Sequence, residues 1–197
     1  MKRVIFLDRD GVINRFPGHG GYVTRIKDFR FLPGSLKALK ILTDEGYNIF
    51  VISNQAGVSR GVYSQDKLSQ INNYLLKGVK KAGARIKKVF YCTHMPDHNC
   101  DCRKPNIGSV KKALQLVNKN LKTAKDSFFI GDAESDIKAG HKAGCQTILV
   151  LSGKETRKAV VKNWPVKPDY IVKNLLEAVG IVTHENSCCS CLCGCGA

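Results

Sequence analysis

The chain has 197 residues, 43% of them apolar and 24% charged, enough for one domain with a full core and too few for two comfortable ones. No apolar run approaches the length of a membrane helix, so the composition argues against a membrane-spanning protein. Lys and Arg outnumber Asp and Glu by 32 to 16, a net charge of +16 that attracts anions; the basic residues are scattered, however, and the densest cluster, Lys77 to Lys88, lacks interleaved aromatics, so it reads as a solvated helix face and not a nucleic-acid groove.

Met1-Lys2-Arg3 followed by Val4 to Leu7 superficially imitates a signal peptide, but Asp8 and Asp10 interrupt the apolar stretch too soon, and a cytoplasmic protein is expected. Val4 to Leu7 is instead a buried strand emptying into the tight loop Asp8-Arg9-Asp10-Gly11. At a strand end the i, i+2 spacing turns Asp8 and Asp10 to one side and points Arg9 away. One carboxylate can then attack while the other moves protons, and a phosphoryl group neutralised by a divalent cation is a suitable electrophile.

Residues 15 to 33 are irregular and include His19-Gly20-Gly21-Tyr22. Pro33-Gly34 opens a helix to about Glu45, with Leu36, Leu39, Ile41 and Leu42 on its buried face and Gly46 ending it. Asn48 to Ser53 is a second strand that places Ser53-Asn54-Gln55 at its carboxyl end, where open α/β sheets bind ligands. Arg60, in the loop Ala56 to Gly61, offers a guanidinium fork for a second phosphate or a sugar hydroxyl. Ser64 starts a helix to about Ala82, and Lys87 to Tyr91 is a third strand.

The nine cysteines do not form a secreted disulfide framework. Cys92, His94, Cys100 and Cys102 make a Cys3His set suited to tetrahedral Zn²⁺, with His98 as a competitor for His94. With all four positions filled by protein, such a metal is structural, and its role is to fix the loop that presents Arg103 and Lys104. An amphipathic helix is expected over Pro105 to Leu121, with Val110, Ala113, Leu114 and Val117 in register. Ser127 to Ile130 is a fourth strand closed by Asp132 and Asp136, the latter also a candidate helix N-cap. Gln146 to Leu151 and Asp169 to Val172 are further strands, Leu175 to Val179 a closing helix, and Cys145 a small core hydrophobe. The alternation predicts an α/β fold with a Rossmann-like, doubly wound parallel sheet. Residues 1–182 form the expected domain, and 183–197, with five of the cysteines, a tail expected to be disordered, soft-metal binding being the other reading.

The order Asp8-x-Asp10-Gly11, Ser53-Asn54, Lys104-Pro105 and Gly131-Asp132 resembles the four motifs of the haloacid dehalogenase superfamily of phosphatases over roughly residues 3 to 180. D-R-D-G-V-I-N, G-Y-V, S-N-Q-A-G-V-S-R-G and C-x-H…C-D-C-R-K-P are similar to the D-glycero-D-manno-heptose 1,7-bisphosphate phosphatases and the related histidinol-phosphate phosphatases. The resemblance implies an Mg²⁺-dependent phosphomonoesterase without a large cap domain, in which Asp8 forms an aspartyl-phosphate, Asp10 protonates the leaving alcohol and later activates water, and Ser53, Lys104 and Arg103 hold phosphate. It implies Mg²⁺ on Asp8, the Asp10 carbonyl and Asp132, with Asp136 on the metal through water or on Lys104. It also favours His94 as the zinc ligand, and makes His19, Gly20, Gly21, Tyr22, Asn54, Gln55 and Arg60 substrate contacts. The basic loops favour a sugar bisphosphate, acted on by a monomer. Histidinol phosphate stays open as the other substrate, and a nucleic-acid-binding zinc protein on a degenerate phosphatase fold as the other class, one the +16 charge would suit.

Overall fold

The computed structural model describes residues 3–190. Six strands, β1 (Val4–Leu7), β2 (Asn48–Asn54), β3 (Lys88–Cys92), β4 (Phe128–Gly131), β5 (Gln146–Val150) and β6 (Tyr170–Val172), form one sheet in the order β3-β2-β1-β4-β5-β6. Every pairing is parallel; Ile5 lies opposite both Ile49 and Phe128, and Leu7 opposite both Val51 and Ile130. All four residues of β1 are buried, as the middle of a sheet covered on both faces requires.

The helices are α1 (Ser35–Asp44), α2 (Gln65–Lys81), α3 (Gly108–Gln115), α4 (Glu134–Ala143), the short α5 (Lys158–Val161) and α6 (Leu175–Ser190). Side chains of β1 alternate between two cores. Ile5 and Leu7 pack with α1, α2 and α6, whereas Val4 and Phe6 pack with α3 and α4. Phe6 lies between Phe50 and Phe129, with ring centroids 6.1 and 5.8 Å away. The strand order reverses direction between β1 and β4, so the carboxyl ends of these two strands flank the crevice where such sheets bind ligands. Between β1 and α1 the chain forms only one 3-10 turn, Ile26–Asp28, and no lid domain.

Two expected helices have different lengths. The one expected over Pro105 to Leu121 is confined to Gly108–Gln115. At its start the loop claims the backbone, with Asn106 N–H on Arg103 O and Gly108 N–H on Asp101 O; at its end the chain turns at Asn118, whose φ is 55°. A 3-10 segment, Leu121–Asp126, follows, capped by the Asn120 side chain on the Lys122 N–H. The closing helix, expected over Leu175 to Val179, continues to Ser190 and so covers the first part of the segment read as a tail. Residues 191–197, the remainder of that tail, lie outside the described residues.

Phe6 is fully buried between two rings, so Phe6→Ala is expected to destabilise the fold by about 3–5 kcal/mol in denaturant unfolding. A loss of under about 1 kcal/mol would mean that the second core is not the packed layer described.

Candidate active site

The carboxyl ends of β1, β2 and β4 meet at a cavity of about 300 Å³. Asp8 leaves β1 with its N–H on Ile130 O, continuing the ladder to β4 by one residue. Asp132 follows β4 and is 2% exposed. Its carboxylate accepts from the Lys154 N–H at 2.5 Å, and Gly11 and Gly153 approach it so closely that a Cβ at either would overlap it. Gly11 also has a φ of 82°, so the motif glycine serves both the turn and this contact.

Lys104 joins the pieces. Its ammonium lies 2.9 Å from Asp8 Oδ1 and 2.7 Å from Asp136 Oδ1 as an ion pair with each, and donates to Ile52 O at 2.7 Å. Its backbone is fixed as well: Asn54 Oδ1 accepts from the Lys104 N–H and Asn54 Nδ2 donates to Lys104 O, both at 3.1 Å. Burial lowers the affinity of Lys104 for its proton, but Asp136 and Asp8 outweigh burial and hold the amine charged. The other oxygen of Asp136 accepts the N–H groups of Asp132 and Ala133 at 3.2 and 3.0 Å, so this carboxylate caps α4 and grips Lys104 together.

Carboxylate oxygens of Asp8, Asp132 and Asp136 lie within 4.8 Å of one another, against a single ammonium. Burial pushes Asp8 up to about 6; Lys104 opposes this shift, while Asp136 and Asp10 add to it. Asp132 is raised well above the usual carboxylate range by burial and by Asp8 and Asp136. This surplus of negative charge, presented by oxygen atoms, suits a divalent cation such as Mg²⁺. Because Asp136 is already engaged, Asp8 and Asp132 are the carboxylates that fit it.

Several expected residues also line the cavity: Asp10, Gly21, Tyr22, Ser53, Asn54 and Arg103. Others are placed elsewhere. Arg60, His19 and Gly20 are exposed outside the cavity wall, His19 packing edge-on against Phe16. Gln55 is buried and donates to Asp10 Oδ2 at 2.8 Å and Ser53 Oγ at 3.1 Å, facing that carboxylate and hydroxyl instead of the open cavity. Arg9, expected to point away, is fully buried and turns back onto the Asp10 carboxylate at 2.8 Å. Lys154 was not anticipated; it is exposed and lines the cavity from the loop after β5, a position that the strand-end rule alone would have suggested.

Beside Arg103, the side chains of Cys92, His94, Cys100 and Cys102 converge. Cys100 Sγ is 3.6 Å from Cys92 Sγ and 3.5 Å from Cys102 Sγ, and His94 Nδ1 is 3.3 Å from Cys102 Sγ and 3.8 Å from Cys92 Sγ. The edges of a tetrahedron with ligands about 2.3 Å from its centre are about 3.8 Å, so the four form a cluster that could hold a metal. Burial raises the Cys100 thiol, but hydrogen bonds with Cys102 and Cys92 outweigh it and draw this group down to about 7. The His98 ring lies 6.1 Å from that of His94, outside the cluster. Arg103 Nη1 donates to His94 O at 3.3 Å, tying the cavity wall to the cluster.

A HAD-hydrolase-like family model matches residues 101–178. The D-glycero-beta-D-manno-heptose-1,7-bisphosphate 7-phosphatase of Haemophilus ducreyi is 34% identical over 92% of this chain and 98% of its own. The D-glycero-alpha-D-manno-heptose-1,7-bisphosphate 7-phosphatase of Photorhabdus laumondii is 35% identical over 82% and 91%. The crystal structure of the D,D-heptose 1,7-bisphosphate phosphatase of B. bronchiseptica, complexed with magnesium and phosphate, superposes with a TM-score of 0.84 at 27% identity, covering 93% of this chain and 99% of that one. Among the described residues, no helix is long and apolar enough to cross a membrane.

Asp8 binds its proton more tightly in the fold than its ordinary 3.8, so the stability it contributes is full below about pH 4 and lost as pH rises through about 6. In Mg²⁺-free buffer, Tm is expected to fall from about pH 4 to about pH 6 and then level off, and Asp8→Asn to raise Tm at the upper end and reduce the slope. A variant with the wild-type slope would remove Asp8 as the source of the strain.

Proposed function

As the chain belongs to the haloacid dehalogenase-like hydrolases, in the branch of the heptose-1,7-bisphosphate 7-phosphatases, and is a phosphoric monoester hydrolase, we propose that it removes the C7 phosphate of D-glycero-D-manno-heptose 1,7-bisphosphate. The observation that carries this reading is the Lys104 ammonium between Asp8 and Asp136 at the mouth of β1, with Ser53 and Asp132 on the same cavity. Lys104 holds one oxygen of Asp8 and leaves the other to attack phosphorus in line, forming an aspartyl-phosphate. Asp10, on the cavity wall two residues along, protonates the departing sugar oxygen and later takes a proton from the water that cleaves the intermediate. Ser53 and Lys104 grip the phosphoryl oxygens, and Asp136 keeps Lys104 charged and in place.

Asp8, Asp132 and the Asp10 carbonyl would hold Mg²⁺, which would supply charge neutralisation for the phosphate. Cys92, His94, Cys100 and Cys102 would hold Zn²⁺ as a structural ion, which would brace the loop that carries Arg103 and Lys104.

The wall beyond the catalytic carboxylates supports a bisphosphate over histidinol phosphate. Apart from Lys104 and Asp132, which face Asp8, its charged members are the cations Arg103 and Lys154, which favour a second phosphate and oppose an ammonium. We read the enzyme as a monomer acting in the cytoplasm.

Phosphate release in Mg²⁺ from the α and β anomers of the bisphosphate and from histidinol phosphate, side by side, tests the assignment. A preference for the bisphosphate of at least about tenfold in kcat/KM is expected, with Asp8→Asn folded and inactive. A preference for histidinol phosphate would overturn the substrate, and appreciable turnover by Asp8→Asn the nucleophile. Removing zinc with a chelator in excess Mg²⁺ is expected to cut activity at least about tenfold, reversibly on zinc return; zinc-free protein with full activity would overturn the structural role.

A further inference from the structure

Asp10 is gripped more completely than a residue on a cavity wall needs to be. Its Oδ1 accepts from Arg9 Nε at 3.2 Å, Arg9 Nη2 at 3.0 Å and Asn14 Nδ2 at 2.8 Å. Its Oδ2 accepts from Arg9 Nη2 and from Gln55 Nε2, both at 2.8 Å. Three side chains therefore converge on one carboxylate, and two of them, Arg9 and Asn14, are fully buried while Gln55 is 1% exposed.

Arg9 makes the arrangement stiff. Its guanidinium lies over the Tyr91 ring, 5.5 Å from the centroid, and Asp10 is the carboxylate paired with it. Burial opposes the charge on Arg9, but Asp10 and Tyr91 outweigh it and keep the group ionised. Rotating Asp10 away would strand a buried cation, so the orientation of the carboxylate is tied to the stability of the fold.

Tyr63 sets the third contact. Burial keeps its phenol protonated, and the hydroxyl donates to Gln55 Oε1 at 2.6 Å. With that oxygen engaged, the Gln55 NH₂ group must face Asp10 and Ser53. The same Nε2 has Ser53 Oγ as a second acceptor at 3.1 Å, so Gln55 joins the carboxylate to the hydroxyl. Gly57 packs against the rings of Tyr63 and Tyr22, where a Cβ would collide, so the loop after β2 holds this network against the cavity wall.

We propose that Arg9, Asn14 and Gln55 are positioning residues that clamp the Asp10 carboxylate in the orientation from which it serves the leaving oxygen, with Tyr63 fixing the sense of the Gln55 amide. The proposal rests on the phosphatase reading above and goes beyond it: with no lid domain to set the proton donor as substrate binds, the fold sets it beforehand. The clamp matters where the leaving group needs a proton. A sugar alkoxide does, and 4-nitrophenolate does not.

Tyr63→Phe, which removes one hydroxyl and little packing, and Gln55→Met, of similar length, are compared with wild type on the heptose bisphosphate and on 4-nitrophenyl phosphate in Mg²⁺. The expected result is a fall of about tenfold in kcat on the sugar phosphate for Tyr63→Phe, larger for Gln55→Met, with KM nearly unchanged and a much smaller loss on the aryl ester. Equal losses on both compounds, no loss on the sugar phosphate, or a gain would overturn the clamp and leave the phosphatase reading standing. Wild-type protein inert toward both would overturn that reading and the clamp with it.

Discussion

A single buried ammonium decides how this site is assembled. Asp8, Asp132 and Asp136 come from the ends of two neighbouring strands and the first turn of a helix, and like charges this close resist being buried together. Lys104 is the internal cation that offsets them, and to reach them it must be delivered from the far side of β2. The Asn54 amide therefore grips the Lys104 backbone, and the Arg103 side chain just before it is tied to His94 O. The remaining negative surplus is what makes the cavity a place for a divalent cation and a phosphate together.

Asp8 and Asp10, two residues apart, have opposite surroundings. Asp8 shares its cation with Asp136 and is pushed up to about 6 by burial, with one oxygen on Lys104. Asp10 has a buried guanidinium to itself and two amide donors besides. Such a difference suits a division of labour in which one carboxylate meets phosphorus and the other handles protons. The open architecture places the burden of orientation on buried side chains, because among the described residues no lid domain closes over the cavity to impose it.

Much of this plan was legible in the residues. The buried strand before Asp8, the strand-end positions of Ser53 and Asp132, and the spacing of Cys92, His94, Cys100 and Cys102 all follow from local patterns, and the structure brings each set together. The extent of the helix after Pro105 did not follow, because its apolar periodicity continues past Gln115 whereas the backbone hydrogen bonds do not. Arg9 was misjudged for a related reason: strand alternation directs its Cβ, but a long side chain can curl back to a carboxylate when a buried charge needs a partner.

By itself the sequence determined the order of strands and helices, the parallel sheet and the identity of the groups available for chemistry, since these depend on periodicity and on residues within a few positions of one another. Only the tertiary structure decided which of those groups face the cavity. Gln55 turned inward to Asp10 and Ser53, Arg60 fell outside the cavity wall and Lys154 joined it, while Asp136 was committed to Lys104. The physical reason is that hydrogen bonds and ion pairs across the sheet are settled by competition among groups distant in the chain, and such competition leaves no local periodic trace.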